Sequence, residues 1–81
     1  MILPDSTFEA YRLGMEHYQD REFIFKMKLR LAYYRQNFRE LFDRGDSKFI
    51  GWASFRIQMI NECLSVATGT QTLRNLREVL G

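Results

Sequence analysis

The chain has 81 residues, with 12 Lys or Arg, 10 Asp or Glu, one Cys and a net charge of +2. It is too short for two ordinary domains and too apolar to be disordered, and one cysteine excludes a disulfide framework or a structural zinc site. No apolar run reaches the roughly 18 residues of a membrane span, and the first ten residues lack the pattern of a secretory signal. We therefore expect one soluble, cytoplasmic domain over residues 1–81.

Large apolar side chains are numerous for a chain of this size, with seven Phe, four Tyr, one Trp and four Met. A domain of roughly 60 to 80 residues buries only about 60% of the surface that its unfolded chain exposes. Some of these side chains must then form an exposed binding surface or be covered by a second chain. We therefore expect a homo-oligomer.

The first helix is predicted over about residues 6–19. Ser6 and Glu9 have the spacing of a capping box, in which the Ser hydroxyl accepts from a backbone N–H and the Glu side chain reaches back. Gly14 weakens this helix by up to about 1 kcal/mol relative to Ala. The polar residues that follow leave open whether the helix continues into the next one, and Asp20 is the candidate cap of a second helix. Large apolar residues recur here at spacings of 3, 4 and 3, as one helical stripe: Phe8, Tyr11, Met15 and Tyr18.

The second helix is predicted over about residues 21–44. Residues 25–31 also alternate strictly between apolar and basic, which is typical of a half-buried strand. We prefer the helix because Leu, Met, Lys and Arg are helix formers and because a longer helical pattern includes this segment. That pattern has spacings of 3, 4, 3, 4 and 3, as in a coiled-coil seam: Ile24, Met27, Leu31, Tyr34, Phe38 and Leu41. A second apolar stripe on this helix indicates contacts on two sides: Phe25, Leu29 and Ala32.

Gly45 predicts a turn, and a third helix is expected over about residues 48–68, forming an antiparallel hairpin with the second. Gly51 lies in its first turn and is expected to permit a close helix crossing, and Gly69 ends it. One apolar stripe on this helix consists of Ile50, Ala53, Ile57, Ile60 and Leu64. The stripe beside it consists of Phe49, Trp52, Met59, Cys63 and Val66. A short last helix over about 71–80 would cap the bundle with three leucines facing inward: Leu73, Leu76 and Leu80.

The residues of this chain that could take part in catalysis are better explained by structural roles. Cys63 stands among apolar residues, where the thiol pKa rises and reactivity falls, so we expect a buried structural cysteine. His17 is expected at the surface or its boundary. Glu40 and Asp43 share a helix face, but arginines beside them favour surface ion pairs over acid–base catalysis. We predict no catalytic residue, no metal ligand and no cofactor, and we expect that the protein is not an enzyme.

Charge is distributed unevenly along the chain. Residues 1–22 hold two basic and five acidic residues, a net charge of −3, and residues 23–44 hold six basic and two acidic residues, a net charge of +4. Basic residues interleaved with aromatic ones are typical of nucleic-acid-binding surfaces and also suit an acidic protein. The candidates for contacts with phosphate or an acidic partner are Lys26, Lys28, Arg30, Arg35, Arg39, Arg74 and Arg77.

The sequence therefore predicts an all-α fold, a bundle of three main helices and a short C-terminal one that homodimerisation completes. The leading functional hypothesis is a small regulatory or interaction protein that presents an aromatic and Arg-rich helical surface to a protein partner or to itself. The alternative hypothesis is a small nucleic-acid-binding regulator that uses the basic helix over residues 23–44. The predicted protein interface consists of Phe25, Leu29, Tyr33 and Trp52.

Overall fold

The computed structural model describes residues 3–70, which form three α-helices joined by two short turns. Helix α1 spans Thr7–Glu16, α2 spans Arg21–Arg44 and α3 spans Ser47–Ala67. The all-α fold is confirmed for this part of the chain, in which no strand occurs. The short helix predicted over residues 71–80 lies outside the described residues, and homodimerisation stays a prediction.

The start of α1 follows the predicted capping chemistry only in part. The Ser6 hydroxyl oxygen accepts a hydrogen bond from the backbone N–H of Glu9, at 3.2 Å. The Glu9 carboxylate does not complete the predicted capping box. It accepts from the Arg12 guanidinium instead, with 2.7 Å between Nη2 and Oε2. The Ser hydroxyl alone therefore caps this helix through a side chain.

The turn between α1 and α2 shows that the two helices are separate. Gln19 has a φ of 59°, a left-handed conformation that a right-handed helix does not contain. Its N–H donates to the carbonyl oxygen of Ala67 at 2.8 Å, which ties the turn to the end of α3. Asp20 then caps α2 as predicted, because its Oδ1 accepts from the N–H of Phe23 at 3.3 Å. As a result α1 ends at Glu16, three residues before its predicted end.

The second turn produces the predicted antiparallel hairpin of α2 and α3. Gly45 has a φ of 71°, and its N–H donates to the carbonyl oxygen of Phe42 at 3.0 Å. The N–H of Asp46 donates to the carbonyl oxygen of Leu41 at 3.1 Å, so two carbonyls at the end of α2 are satisfied within the turn. Residues 25–31, whose alternation is also typical of a strand, lie inside α2 and are helical.

The core lies along α3, and both other helices pack against it. Helix α2 contributes Met27, Leu31 and Tyr34, three buried members of its predicted seam. The other three members of the seam are partly buried: Ile24, Phe38 and Leu41. Ile60 and Cys63 of α3 are fully buried opposite them. The 3-4 spacing therefore identified the core face of α2 correctly.

Helix α1 runs parallel to α3 and makes a close contact with it at Gly14. A Cβ atom at this position would lie 2.7 Å from Cβ of Val66 and 2.8 Å from the carbonyl oxygen of Cys63. No side chain fits into that space, so glycine is what permits this helix contact. At the other end of the contact, Arg56 of α3 pairs with Asp5, with 3.1 Å between Nη1 and Oδ1.

Gly51 was expected to allow the close crossing, and that expectation was wrong. A Cβ at Gly51 would have no neighbour within 4 Å. The reason is the position of α1, which crosses the C-terminal half of α3 and leaves the first turns of α3 uncovered. The glycine of the crossing belongs to α1, where the sequence suggested only a weak point in the helix.

The apolar stripe of α1 does not face the core. The face of α1 that packs on α3 carries the small residues Ala10 and Gly14, both buried, with Leu13 partly buried beside them. The large residues lie on the flank and are exposed, from 37% at Tyr11 to 73% at Phe8. We call these four residues the α1 stripe: Phe8, Tyr11, Met15 and Tyr18.

Replacing Gly14 by Ala should destabilise the protein by about 1–3 kcal/mol, because the added methyl group forces α1 away from the backbone of α3. This loss exceeds the gain of up to about 1 kcal/mol that Ala brings through its helix propensity. Gly51→Ala is the matched control and should be stabilising by up to about 1 kcal/mol, since its Cβ meets open space. Urea unfolding followed by circular dichroism measures both, and a stabilising Gly14→Ala would contradict the close contact.

Candidate functional site

Helix α1 covers only the C-terminal half of α3. It has 10 residues against 21 in α3, which is about 15 Å against about 32 Å of helix. Gly14 lies at Val66 and Asp5 lies at Arg56, so the first turns of α3 extend beyond α1, next to the end of α2. We call this projecting part, residues 33–55, the hairpin arm.

One side of the hairpin arm carries a groove of about 300 Å³ between its two helices. Its aromatic side chains are half exposed, with 58% of Tyr33, 49% of Phe49 and 46% of Trp52 accessible. We call it the arm groove, and its full lining consists of Tyr33, Asn37, Glu40, Leu41, Arg44, Phe49 and Trp52.

Two aromatic contacts hold the exposed rings of the arm groove in place. The ring of Trp52 meets the buried ring of Tyr34 edge to face, with 5.5 Å between centroids and 70° between planes. The ring of Tyr33 meets Tyr34 in the same manner, at 5.4 Å and 79°. Such edge contacts stabilise aromatic pairs by about 0.5–1.5 kcal/mol beyond the area they bury. Tyr34 therefore supports both exposed rings from the core side.

All four residues of the predicted protein interface are exposed. Tyr33 and Trp52 come together at the arm groove. Phe25 and Leu29 are 63% and 57% exposed and lie on the preceding turns of the same i, i+4 row of α2 as Tyr33. The four residues thus form one surface that runs along the outside of α2 and turns into the groove. Whether this surface binds a protein stays a prediction.

Sequence reasoning missed further exposed aromatics on the hairpin arm. Phe42 is 66% exposed and Phe55 is 40% exposed, and Phe49, which the sequence placed in an apolar stripe, lines the arm groove. A signal was available, because a first helix of only a few turns cannot reach both ends of a helix of 21 residues. The apolar stripes of α3 therefore become exposed towards their N-terminal end.

The predicted basic residues of α2 separate into two flanks. Lys28, Arg35 and Arg39 follow each other at spacings of 7 and 4, which places them within about 40° around the helix axis. We call these three residues the basic row, and none of them forms an ion pair within the described residues. Arg35 and Arg39 border a groove of about 390 Å³ whose apolar lining includes Phe42. Arg30 lies about 200° away from Lys28, on the opposite flank.

The remaining predicted charges do not join the basic row. Lys26 pairs with Glu22, with 3.0 Å between Nζ and Oε1. Glu40 and Asp43 were expected to pair with neighbouring arginines, and that was wrong for the described residues, which include no ion pair of either carboxylate. Glu40 instead contributes to the lining of the arm groove. Two further predicted basic residues lie outside the described part of the chain: Arg74 and Arg77.

The cysteine and the histidine have structural surroundings. Cys63 is fully buried, and burial raises the pKa of its thiol to about 11, which confirms the expectation for a buried structural cysteine. The ring of His17 stacks on Phe23, with 4.2 Å between centroids, and its Nδ1 lies 3.3 Å from Oδ2 of Asp20. The N–H of Phe23 and the His17 ring both lower the pKa of the Asp20 carboxyl by bonding to its charged form. These contacts stabilise the turn between α1 and α2.

A larger groove of about 530 Å³ lies between α1 and the start of α2. Its floor is apolar and includes Leu13 and Phe23, and its rim carries charged side chains. Those charges are paired with each other, Arg12 with Glu9 and Lys26 with Glu22. This rim therefore offers a ligand less unpaired charge than the basic row does.

Two kinds of site do not occur among residues 3–70. No three side chains of His, Cys, Asp or Glu are grouped there in a way that could hold a metal ion. Nor does any helix of that range have the length and apolar character needed to cross a membrane. In comparisons with protein families, curated proteins and solved structures, the chain has no significant match.

Proposed function

We propose that the protein is a small non-catalytic interaction protein that binds an amphipathic helix of a partner protein in the arm groove. The observation that carries the proposal is the pair of exposed rings, Tyr33 and Trp52, that the buried Tyr34 supports from below. Exposed aromatic residues fixed in one orientation are typical anchors of protein interfaces.

The shape of the hairpin arm supports a helix as the ligand. On α3, the arm continues the line along which α1 packs, but the N-terminal end of α1 lies near Arg56 and α1 does not extend to Trp52. A further helix laid over the arm would complete the packing that α1 provides for the other half of α3. Binding of an amphipathic helix in an apolar groove between two helices is a common mode of peptide recognition.

The charge of the hairpin arm indicates which helix it would bind. Residues 23–44 carry a net charge of +4, and the arm itself, residues 33–55, carries four basic and three acidic residues, a net charge of +1. The groove lining holds one residue of each sign, Arg44 and Glu40. Lys48 lies at the start of α3, with its ammonium 5.8 Å from the ring centroid of Phe49. A partner helix with acidic residues beside its apolar face would be attracted to this surface, and like charges would be repelled. We therefore commit to a partner helix with an acidic flank.

The proposal is tested with two designed helical peptides of about 18 residues that share one leucine stripe and carry either Glu or Lys on the flanks. Trp52 is the single tryptophan of the chain, so its fluorescence reports on the arm groove directly. We expect the Glu peptide to shift the Trp52 emission to the blue and to saturate, and the Lys peptide to bind at least about tenfold more weakly. Tyr33→Ser should weaken binding of the Glu peptide at least about tenfold, since it removes an anchor.

Phe8→Ser is the matched control, because Phe8 is an aromatic residue more exposed, at 73%, than those of the groove but lies on α1. It should leave peptide binding unchanged. If a folded chain gives no Trp52 response with either peptide, the proposal is contradicted. If the Trp52 emission changes with the concentration of the chain alone and sedimentation shows a dimer, the occupant is a second copy, and the partner helix is contradicted.

A second candidate function, nucleic-acid binding, is favoured by the basic row. Its three side chains point to one flank of α2 and have no acidic partner among the described residues. Three phosphate contacts would release about three counterions, which gives binding a log–log salt slope of about −3 on duplex DNA.

This candidate predicts binding of a fluorescein-labelled duplex at about 50 mM salt, measured by anisotropy, and its loss in a variant with Lys28→Glu and Arg35→Glu. The control is Arg30→Glu with Lys48→Glu, which changes the net charge equally but leaves the basic row intact. Equal loss in both variants would point to net charge alone and contradict a site at the basic row. No binding at low salt would exclude nucleic acid as the ligand.

A further inference from the structure

The outside of α2 carries two large apolar side chains that no other described helix covers. Phe25 and Leu29 lie one turn apart and are 63% and 57% exposed. Met27 and Leu31, which alternate with them in the sequence, are buried. At about 100° per residue, the two pairs lie about 200° apart around the helix axis. Since α2 packs only against α3 among the described helices, Phe25 and Leu29 point away from the core, and we call them the outer pair.

Basic side chains lie on both sides of the outer pair. Lys28 and Arg30 are the sequence neighbours of Leu29 and lie about 100° from it in opposite directions around the helix. Both are exposed, and neither forms an ion pair within the described residues. The strict alternation of residues 25–31 thus places one apolar row in the core, a second on the outside, and basic side chains between the two.

The charge around the outer pair has one sign. Residues 23–39 hold five basic residues and no acidic one. Of these five, only Lys26 pairs with a carboxylate among residues 3–70, that of Glu22. Glu40 and Asp43 lie further along the helix, where they end the basic surface. An anionic partner would therefore contact residues 25–39 and be repelled beyond them.

The shape of this surface distinguishes between anionic partners. The outer pair protrudes from the convex outside of one helix, whereas a partner helix packs in a groove. Phosphate contacts of a nucleic acid would use the basic side chains and leave the outer pair in water. A lipid bilayer suits both features, because its acyl chains close around protruding apolar side chains and its anionic headgroups attract Lys and Arg at the same level.

We propose that the outside of α2 binds the surface of an anionic lipid bilayer, with the outer pair inserted at the acyl boundary and the basic side chains beside it on the headgroups. The helix lies in the plane of the membrane surface, a mode of binding that requires no membrane-spanning segment. The inference goes beyond the proposed function, because it assigns a surface that the arm groove does not use. The arm groove, which opens between α2 and α3, remains for a protein partner.

The test is flotation of the full-length chain with phosphatidylcholine vesicles that contain about one third phosphatidylserine, at about 50 mM salt. We expect binding, and at least about tenfold weaker binding to vesicles of phosphatidylcholine alone, because the basic side chains then lose the attraction of anionic lipid. Phe25→Ser with Leu29→Ser should weaken binding to the anionic vesicles at least about tenfold, since it removes both inserted side chains.

Phe8→Ser with Met15→Ser is the matched control. It removes two apolar side chains that are equally open to solvent, 73% and 66% exposed, from a helix that carries Glu9 and Glu16. It should leave vesicle binding unchanged, and circular dichroism shows whether both variants fold.

A second measurement applies if the outer-pair variant does not fold. An environment-sensitive fluorophore on Leu29→Cys should shift its emission to the blue with anionic vesicles, and the same fluorophore on Phe8→Cys should not. The native Cys63 is fully buried and is therefore retained.

No binding to the anionic vesicles at low salt would overturn the proposal. Full binding by the outer-pair variant would show adsorption through charge alone, and equal losses in the outer-pair and control variants would show that the site is not on α2, so either result overturns it. If the outer-pair variant loses binding to the fluorescein-labelled duplex as strongly as to vesicles, the surface belongs to nucleic acid and the proposal is overturned as well. These outcomes are independent of peptide binding in the arm groove.

Discussion

The contact between Gly14 of α1 and the backbone of α3 determines how the rest of the chain is arranged. A parallel pair of helices this close requires a face of small residues, and α1 has such a face at Ala10 and Gly14. Once that face is turned inward, the large residues of α1 must point away from α3. The short α1 then covers only one half of its partner helix, and the aromatic residues of the other half stay exposed.

The helix boundaries could be predicted well because they depend on local chemistry. Asp20 caps α2 and Gly45 ends it in a left-handed conformation, and both were identified from residue type and position. The core face of α2 could also be predicted, because six apolar residues at alternating spacings of 3 and 4 all lie on one face of a helix. The end of α1 was predicted less well, because the conformation of Gln19 depends on a hydrogen bond to Ala67, which is far away in sequence.

The orientation of α1 could not be predicted from its own residues. Two faces compete, a stripe of four large residues and a patch of small ones, and hydrophobicity alone favours the large residues. The choice depends on how closely α3 approaches, a tertiary constraint that the spacing of apolar residues does not contain. The same constraint determines which glycine lies at the close helix contact, and it is Gly14 rather than Gly51.

The sequence predicted that aromatic residues would be exposed, but it did not predict the groove in which they lie. The surplus of aromatic residues indicated that some would stay exposed, and Tyr33 and Trp52 are among them. Their meeting at one groove depends on the hairpin register and on the support that Tyr34 gives to both rings. The basic row likewise appears only when Lys28 and Arg35 are placed on one flank, apart from Arg30.

Amide hydrogen exchange along α3 in the full-length chain tests most directly whether α1 covers one half of this helix and leaves the hairpin arm open. Residues 59–67 lie in the half of α3 that α1 covers, and they include six of the seven buried positions of α3. Because slow exchange requires buried, well-packed helix, the account predicts that amides in this half exchange at least about 100-fold more slowly than those of residues 51–56. Equal protection over the whole of α3, or stronger protection in its first half, would contradict an open arm.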